Sequence, residues 1–125
     1  MRVVKGQELE ASGTQGNFAG GIATPSRGAE EVSVIRQRQA PGASNPLHRH
    51  DREEVMVMLS GAVRVSTQEE ESVELAAGDA LIVPAGTLHQ IENHSGVEAE
   101  WLLSAPAGLR FTFADGREGS PAWAR

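Results

Sequence analysis

The feature that most constrains this chain is its punctuation. Strand-like segments, none longer than nine residues, are cut off by turn formers at short intervals. The segments are Val32–Ala40, Val55–Leu59, Ala62–Thr67, Ser72–Leu75, Ala80–Val83, Leu88–Asn93, Glu98–Ser104 and Leu109–Phe113. Between them stand Pro41-Gly42, Ser60-Gly61, Gly78-Asp79, Pro84-Ala85-Gly86, Ser95-Gly96 and Pro106-Ala107-Gly108. These residues fix φ, or accept positive φ, where a chain reverses. Many short strands at such spacing predict an all-β sandwich or barrel. The one helix-like window, Gln68–Ala77, is short and acidic, and Val73 and Leu75 alternate within it as in a strand.

A chain of 125 residues suits one domain over 1–125, because two separate cores would each be too small. Five aromatics and no tyrosine mean a core built mainly of Val, Leu, Ile, Ala and Met. A net charge of −6 without any basic stretch argues against nucleic acid, whose binding depends on clustered Lys and Arg. With no cysteine, disulfides, thiolate metal sites and cysteine nucleophiles are excluded. Met1–Gly13 has no apolar leader and no run reaches membrane-spanning length, so the expectation is a cytoplasmic protein without a membrane partner. The ends, before about Asn17 and after about Asp115, are polar and Gly-rich and read as loosely held. Trp123 is the exception. An unpacked tail gains nothing from a tryptophan, so Pro106–Arg125 is expected to pack on the barrel, or on a partner subunit, through it.

The chemistry resides in a few polar residues. His48 and His50 are two apart, so on a strand they share a face. Glu54 follows a charged corner, Asp51-Arg52-Glu53, and His89 follows the Pro84-Ala85-Gly86 turn. Three imidazoles and a carboxylate form a nitrogen/oxygen set suited to Fe, Mn, Ni, Co, Cu or Zn, and ill suited to Ca or Mg. His94 has the opposite strand parity to His89 and reads as exposed.

The spacing carries more than the residue types. Gly42, five residues, His48-Arg49-His50, three residues, Glu54, six residues and Gly61 form one block. Gly78, five residues, Pro84-Ala85-Gly86, two residues, His89, three residues and Asn93 form another. These blocks, at 42–61 and 78–93, resemble the two motifs of the cupin superfamily, with the short spacer of small single-domain bacterial members. The resemblance implies a double-stranded β-helix, or jelly-roll, barrel. It also implies one divalent transition metal per chain on His48, His50, Glu54 and His89, and often a homodimer. Glu53 competes as the carboxylate, but the six-residue gap to Gly61 selects Glu54. The alternative is a metal-free member that binds a sugar or hormone.

Strand parity extends the site. On the strand before Pro41, Ile35, Gln37 and Gln39 alternate with Val34, Arg36 and Arg38. Burying two unpartnered guanidinium groups costs more than burying two amides, which favours Gln37 near the metal. An Arg36/Arg38 clamp for a substrate carboxylate is the alternative. The same rule places Met56 and Met58 with Glu54, Ile91 with His89, and Trp101 with Leu103. The expected ligand is a small organic molecule with an oxygen pair to chelate the metal.

Three functions fit: a dioxygenase-type oxidoreductase, the favoured reading because an apolar pocket has little proton-shuttling machinery beyond Glu54; a redox-neutral isomerase, cyclase or lyase with Glu54 as a base; and a small-molecule binding or sensor module. A homodimer is expected to cover strand edges, with Phe18–Ile22 pairing across its interface.

Overall fold

The computed structural model describes residues 1–69, 71–119 and 121–125. Glu70 of the Gln68–Ala77 window and Ser120 of the C-terminal segment therefore lie outside the described residues. Those described form β1 (Glu10–Ala11), β2 (Asn17–Ala23), β3 (Val32–Gln39), β4 (His48–His50), β5 (Glu54–Ser60) and β6 (Ala62–Thr67). They continue with β7 (Ser72–Ala76), β8 (Ala80–Val83), β9 (His89–Glu92), β10 (Ala99–Pro106), β11 (Phe111–Phe113) and β12 (Glu118–Gly119). Two short 3-10 turns, Pro25–Arg27 and Ala122–Ala124, complete the chain. The strands pair antiparallel in two six-stranded sheets, β1-β2-β3-β10-β5-β8 and β12-β11-β4-β9-β6-β7. This is the jelly-roll barrel that the punctuation and the two blocks led us to expect.

Alternation decides which way each strand faces. In β5, Glu54, Met56 and Met58 are buried and Val55 and Val57 half-buried; β10 alternates likewise from Ala99 to Pro106. The register sets Trp101 opposite both Met58 and Gln37, and Leu103 opposite Met56 and Ile35. Inward side chains of one sheet thus meet in rows. Gly61 shows why the β5–β6 turn needs glycine. Its φ is 73°, and a Cβ there would come within 2.5 Å of the Glu98 carbonyl oxygen, a contact only the missing side chain relieves.

The structure corrects the expectations at the chain ends. The segment before Asn17 supplies β1, which pairs with β2 at Ala19 and Phe18. After Asp115, β12 pairs with β11, and the Ser26 hydroxyl donates to the Arg125 carbonyl at 2.6 Å. Strands of two residues are too short to show a period, so neither was readable. Phe18–Ile22, expected to pair across a dimer interface, lies inside β2. It is laddered to β3 on one side and, over its first part, to β1 on the other.

Candidate metal centre

The centre is assembled from three places in the fold. β4 carries His48 and His50 on its inner face, β5 opens with Glu54, and β9 opens with His89. His48 and His89 are direct register partners between β4 and β9. Gly86 ties the β8–β9 turn to β4 by donating its N–H to the His50 carbonyl at 2.8 Å. As a result the candidate ligand nitrogens of His48, His50 and His89 lie within 4.8 Å of one another. The Glu54 carboxylate joins them. Oε1 is 2.8 Å from His89 Nε2, and Oε2 is 3.1 Å from His50 Nε2. Glu53 is exposed, and so is His94, which contacts Glu92 at 3.2 Å on the surface.

Two of the three imidazoles are oriented by the backbone. Nδ1 of His48 donates to the Pro46 carbonyl at 2.7 Å, and Nδ1 of His89 to the Thr87 carbonyl at 2.8 Å. A carbonyl only accepts, so the proton sits on Nδ1 and each Nε2 is left to bind a cation, the usual outer support of a metal-binding histidine. His50 has no such tether. Its Nδ1 is buried without a hydrogen-bond partner, and its ring rests edge-on against Phe111, centroids 4.4 Å apart.

The electrostatics fit a cation. Burial, with the charges of its neighbours, pushes His48 down to about 4 and His50 down to about 2, so both are neutral, ligand-ready imidazoles near neutral pH. His89 goes the other way: desolvation opposes its charge, but the hydrogen bond and charge of Glu54 raise it. Its Nε2, 2.8 Å from Glu54 Oε1, is the position at which a proton and a metal ion would compete. Glu54 Oε2 is itself a buried oxygen without a hydrogen-bond partner, an arrangement that costs free energy unless a cation or donor meets it. On donor chemistry and on these orphaned atoms, the residues fit a metal.

Beside the histidines lies a cavity of about 330 Å³. Gln37, Met56, Ile91, Trp101 and Leu103 line it. Gln37 Oε1 accepts the Trp101 Nε1–H at 2.7 Å, so the indole reaches the cavity with its polar atom satisfied. Arg36 turns to the outer side and pairs with Glu100 at 2.7 Å. Arg38 reaches the cavity rim with its guanidinium 5.3 Å from the Phe18 ring centroid. The two arginines are therefore separated, and no clamp of both exists. Met58 is a correction. It shares the inward face of Met56 but sits at 1% exposure among Val63, Val65, Leu75 and Ala99, behind the cavity. Parity fixes the face of a strand, not the depth along it. Gln39 likewise points in but is spent on the frame, donating to the Ile91 carbonyl and to Asn17 Oδ1, both at 3.0 Å. Sequence reasoning missed Phe18, Phe111 and Phe113 as lining residues. The alternation of Phe111 and Phe113 on one face was the only signal available.

Comparison with known proteins agrees with this geometry. A family model, the Cupin domain, matches residues 35–105, more than half of the chain and both motif blocks. The chain belongs to the cupin family. It is 29% identical over 98 residues to Auxin-binding protein 1 of Arabidopsis thaliana, covering 70% of this chain and 50% of that protein. The chain thus spans half the length of that curated relative. Among solved structures, the polyketide cyclase RemF of Streptomyces resistomycificus superposes with a TM-score of 0.73 at 21% identity, covering 85% of this chain and 75% of that one. An oxalate oxidase in complex with the substrate analogue glycolate superposes with a TM-score of 0.69 at 24% identity, over 82% of this chain and 57% of that one. Such identities speak to fold. Among the described residues no helix is long and apolar enough to cross a membrane.

Proposed function

We propose that this cupin is a metal-dependent enzyme holding one divalent transition metal on His48, His50, Glu54 and His89 and acting on a small chelating organic substrate. The observation that carries the reading is the Glu54 carboxylate lying within 3.1 Å of two buried histidines while its Oε2 lacks a hydrogen-bond partner. A bound metal supplies Lewis acidity and, if redox-active, a route for electrons to O₂. The chain's own part is to orient and to exclude water. His48 and His89 are locked by Pro46 and Thr87. Met56, Ile91 and Leu103 keep water off the reacting face, and Gln37 is left with its amide Nε2 as a donor after Oε1 is taken by Trp101.

An oxygen-using, dioxygenase-type reaction is the favoured form, because among the described residues the cavity offers one buried carboxylate, Glu54, and no second acid or lysine for moving protons. The fold does not decide this, since its likenesses include an oxidase, a cyclase and a binding protein. A redox-neutral reaction is the second reading, supported by the same Glu54 Oε2, a buried oxygen able to accept a proton. Metal analysis of protein purified without a histidine tag is the first test, with one transition metal per chain expected. Oxygen uptake by the iron-loaded protein with enolic or catecholic compounds then supports the first form. Turnover by the zinc-loaded protein without oxygen replaces it with the second, and tight binding without conversion leaves a binding module.

A homodimer is proposed on separate grounds. The outer face of the β1-β2-β3-β10-β5-β8 sheet carries Val55 beside Ile82 and, across Ser104, Val34, with Val57 and Leu102 in the next row, and Ile82 is 64% exposed. A two-fold axis would cover such a face with its own copy. A dimer mass by light scattering, reduced to a monomer by Ile82→Glu, is the expected result.

A further inference from the structure

We propose that the cavity beside the histidines takes a planar aromatic ligand with two adjacent oxygens, such as a ring hydroxyl next to a carboxylate. The oxygen pair rests on the metal-dependent reading above; the aromatic preference rests on the cavity walls alone. The chain has five aromatic residues, and all five, Phe18, Trp101, Phe111, Phe113 and Trp123, line this one cavity. They come from β2, β10, β11 and the C-terminal turn, so no single stretch of sequence forces them together.

Core packing accounts for only part of the arrangement. Trp101 is the one aromatic member of the cluster around Met56, Met58 and Val63, and Phe111, with Trp123 against it, belongs to a second cluster around Ile35 and Leu103. Phe18 and Phe113 belong to neither cluster, yet face the same cavity. The larger hollow on the other flank of His89, about 660 Å³, has no Phe or Trp among the described residues that line it. Phe18, Phe113 and Trp123 are half-buried, not buried, so ring surface remains to be covered by a ligand. Covering it is favourable in proportion to area, and a flat ring adds the offset or edge-on geometry that aromatic pairs prefer. At about 330 Å³ the cavity lies at the small end of ligand pockets, which run to about 1,000 Å³, and suits one or two fused rings. A sugar fits less well. Each of its buried hydroxyls needs a partner, and among the wall amides Gln37 Oε1 is spent on Trp101 and Asn45 Oδ1 on the Ile91 N–H, which leaves Gln37 Nε2 and the rim Arg38 to serve a few ligand oxygens rather than a ring of hydroxyls.

The test is calorimetric titration of zinc-loaded protein, zinc being redox-inert, with three acids that share one hydroxy-carboxylate pair. These are 1-hydroxy-2-naphthoate, salicylate and the saturated 2-hydroxycyclohexanecarboxylate. Salicylate is expected to bind at least tenfold more tightly than the saturated acid, and the naphthoate more tightly again. Phe113→Leu and Trp123→Leu, which remove aromatic walls and no candidate ligand, should each shrink that ratio roughly two- to tenfold when every protein is titrated at saturating zinc. The differing chelating strengths of the acids cancel in this comparison between variants. A ratio near one, a ratio unmoved by both variants, or no binding of either aromatic acid overturns the proposal. Repeating the titrations after zinc removal separates the two readings. Aromatic binding that is unchanged without zinc sinks the metal reading and leaves the aromatic preference standing. Zinc-dependent binding of all three acids with equal affinity does the reverse.

Discussion

Among the described residues the barrel has two hydrophobic clusters, and they differ in kind. One, around Met56, Met58, Val63, Val65, Leu75 and Ile91, is almost wholly aliphatic and drawn from long, regularly alternating strands. The other gathers Ile35, Leu103, Ala105, Leu109, Phe111 and Ala124, with Trp123 packed against it. It takes in the C-terminal segment and touches His50 through Phe111. The first reaches the cavity through Met56, Ile91 and Trp101, while Met58, Val63, Val65, Leu75 and Ala99 lie behind it and act as frame. The second reaches the cavity through Leu103, Phe111 and Trp123 and also backs a candidate ligand, His50. The difference teaches that in this small barrel stability and chemistry are supplied by different ends of the interior, so that substitutions should separate them.

The largest effect should come from the part of the aliphatic cluster that lies behind the cavity. Met58→Ala removes a side chain exposed to 1% and should cost about 2–5 kcal/mol of stability, the usual range for a large-to-small core change. Metal affinity measured on the folded variant should stay within a few-fold of the parent protein. Denaturant unfolding and metal titration check the two halves. A large loss of affinity with little loss of stability would erase the proposed division.

The mirror experiment is His50→Ala. The frame, not the metal, is expected to hold the fold, unlike small domains that unfold without their ion. The variant should lose metal by a hundredfold or more, about 2.7 kcal/mol, and keep its circular dichroism spectrum. Full metal stoichiometry would mean the site is misplaced, and collapse of the fold would give the metal a structural role.

A third test uses pH on the metal-stripped protein. His48 and His50 are held in the folded state below the ordinary histidine value, to about 4 and about 2. The unfolded chain therefore binds more protons from about pH 6.5 downwards, and their contribution to stability falls as the pH falls from there. His89 is raised and acts with the opposite sign: its contribution is present below the ordinary value and is lost as the pH rises through its folded value. Two groups against one leave a net loss on acidification, of the order of 1–3 kcal/mol between pH 7.5 and 5. Metal-saturated protein should start to unfold at a lower pH. A stability that rises on acidification would show that the His89–Glu54 pair dominates the site.

How much of this was legible follows the same divide. Alternation along β3, β5 and β10 told which side chains face in, and the cost of unpartnered guanidinium groups separated Gln37 from Arg36. The spacing of the two motif blocks pointed to His48, His50, Glu54 and His89 as a group. What alternation does not carry is depth and register. Met58 shares parity with Met56 yet lies behind the cavity. Phe111 meets His50 because β11 pairs with β4 in a register that sets those two residues opposite, and no local pattern encodes that. The convergence of the aromatics is likewise a property of topology, and the two-residue strands β1 and β12 are below the length at which a period exists.

The smallest expected effect, and the one that best sharpens the comparison, concerns the C-terminal segment. Trp123 packs on Phe111 with ring centroids 5.5 Å apart, and Gly21 admits the turn, since a Cβ there would lie 2.6 Å from the Trp123 carbonyl oxygen. Phe111 in turn backs His50, the one candidate ligand without a hydrogen bond at Nδ1. Ending the chain after Asp115 removes Trp123 and β12 but leaves Phe111 in place. The loss in stability should be modest, about 1–2 kcal/mol, because Trp123 is half-buried and an aromatic pair adds only about 0.5–1.5 kcal/mol to its area. Metal affinity should fall several-fold, since a looser Phe111 lets the His50 ring rotate away from its ligating orientation. His48 and His89, tethered by Pro46 and Thr87, should be indifferent, so the cobalt-loaded protein should show an altered visible spectrum with its metal still bound. Lost stability with an unchanged spectrum would make the segment frame like the aliphatic cluster. An unchanged melting temperature, spectrum and ligand binding would show that the segment's packing against the barrel has no energetic weight.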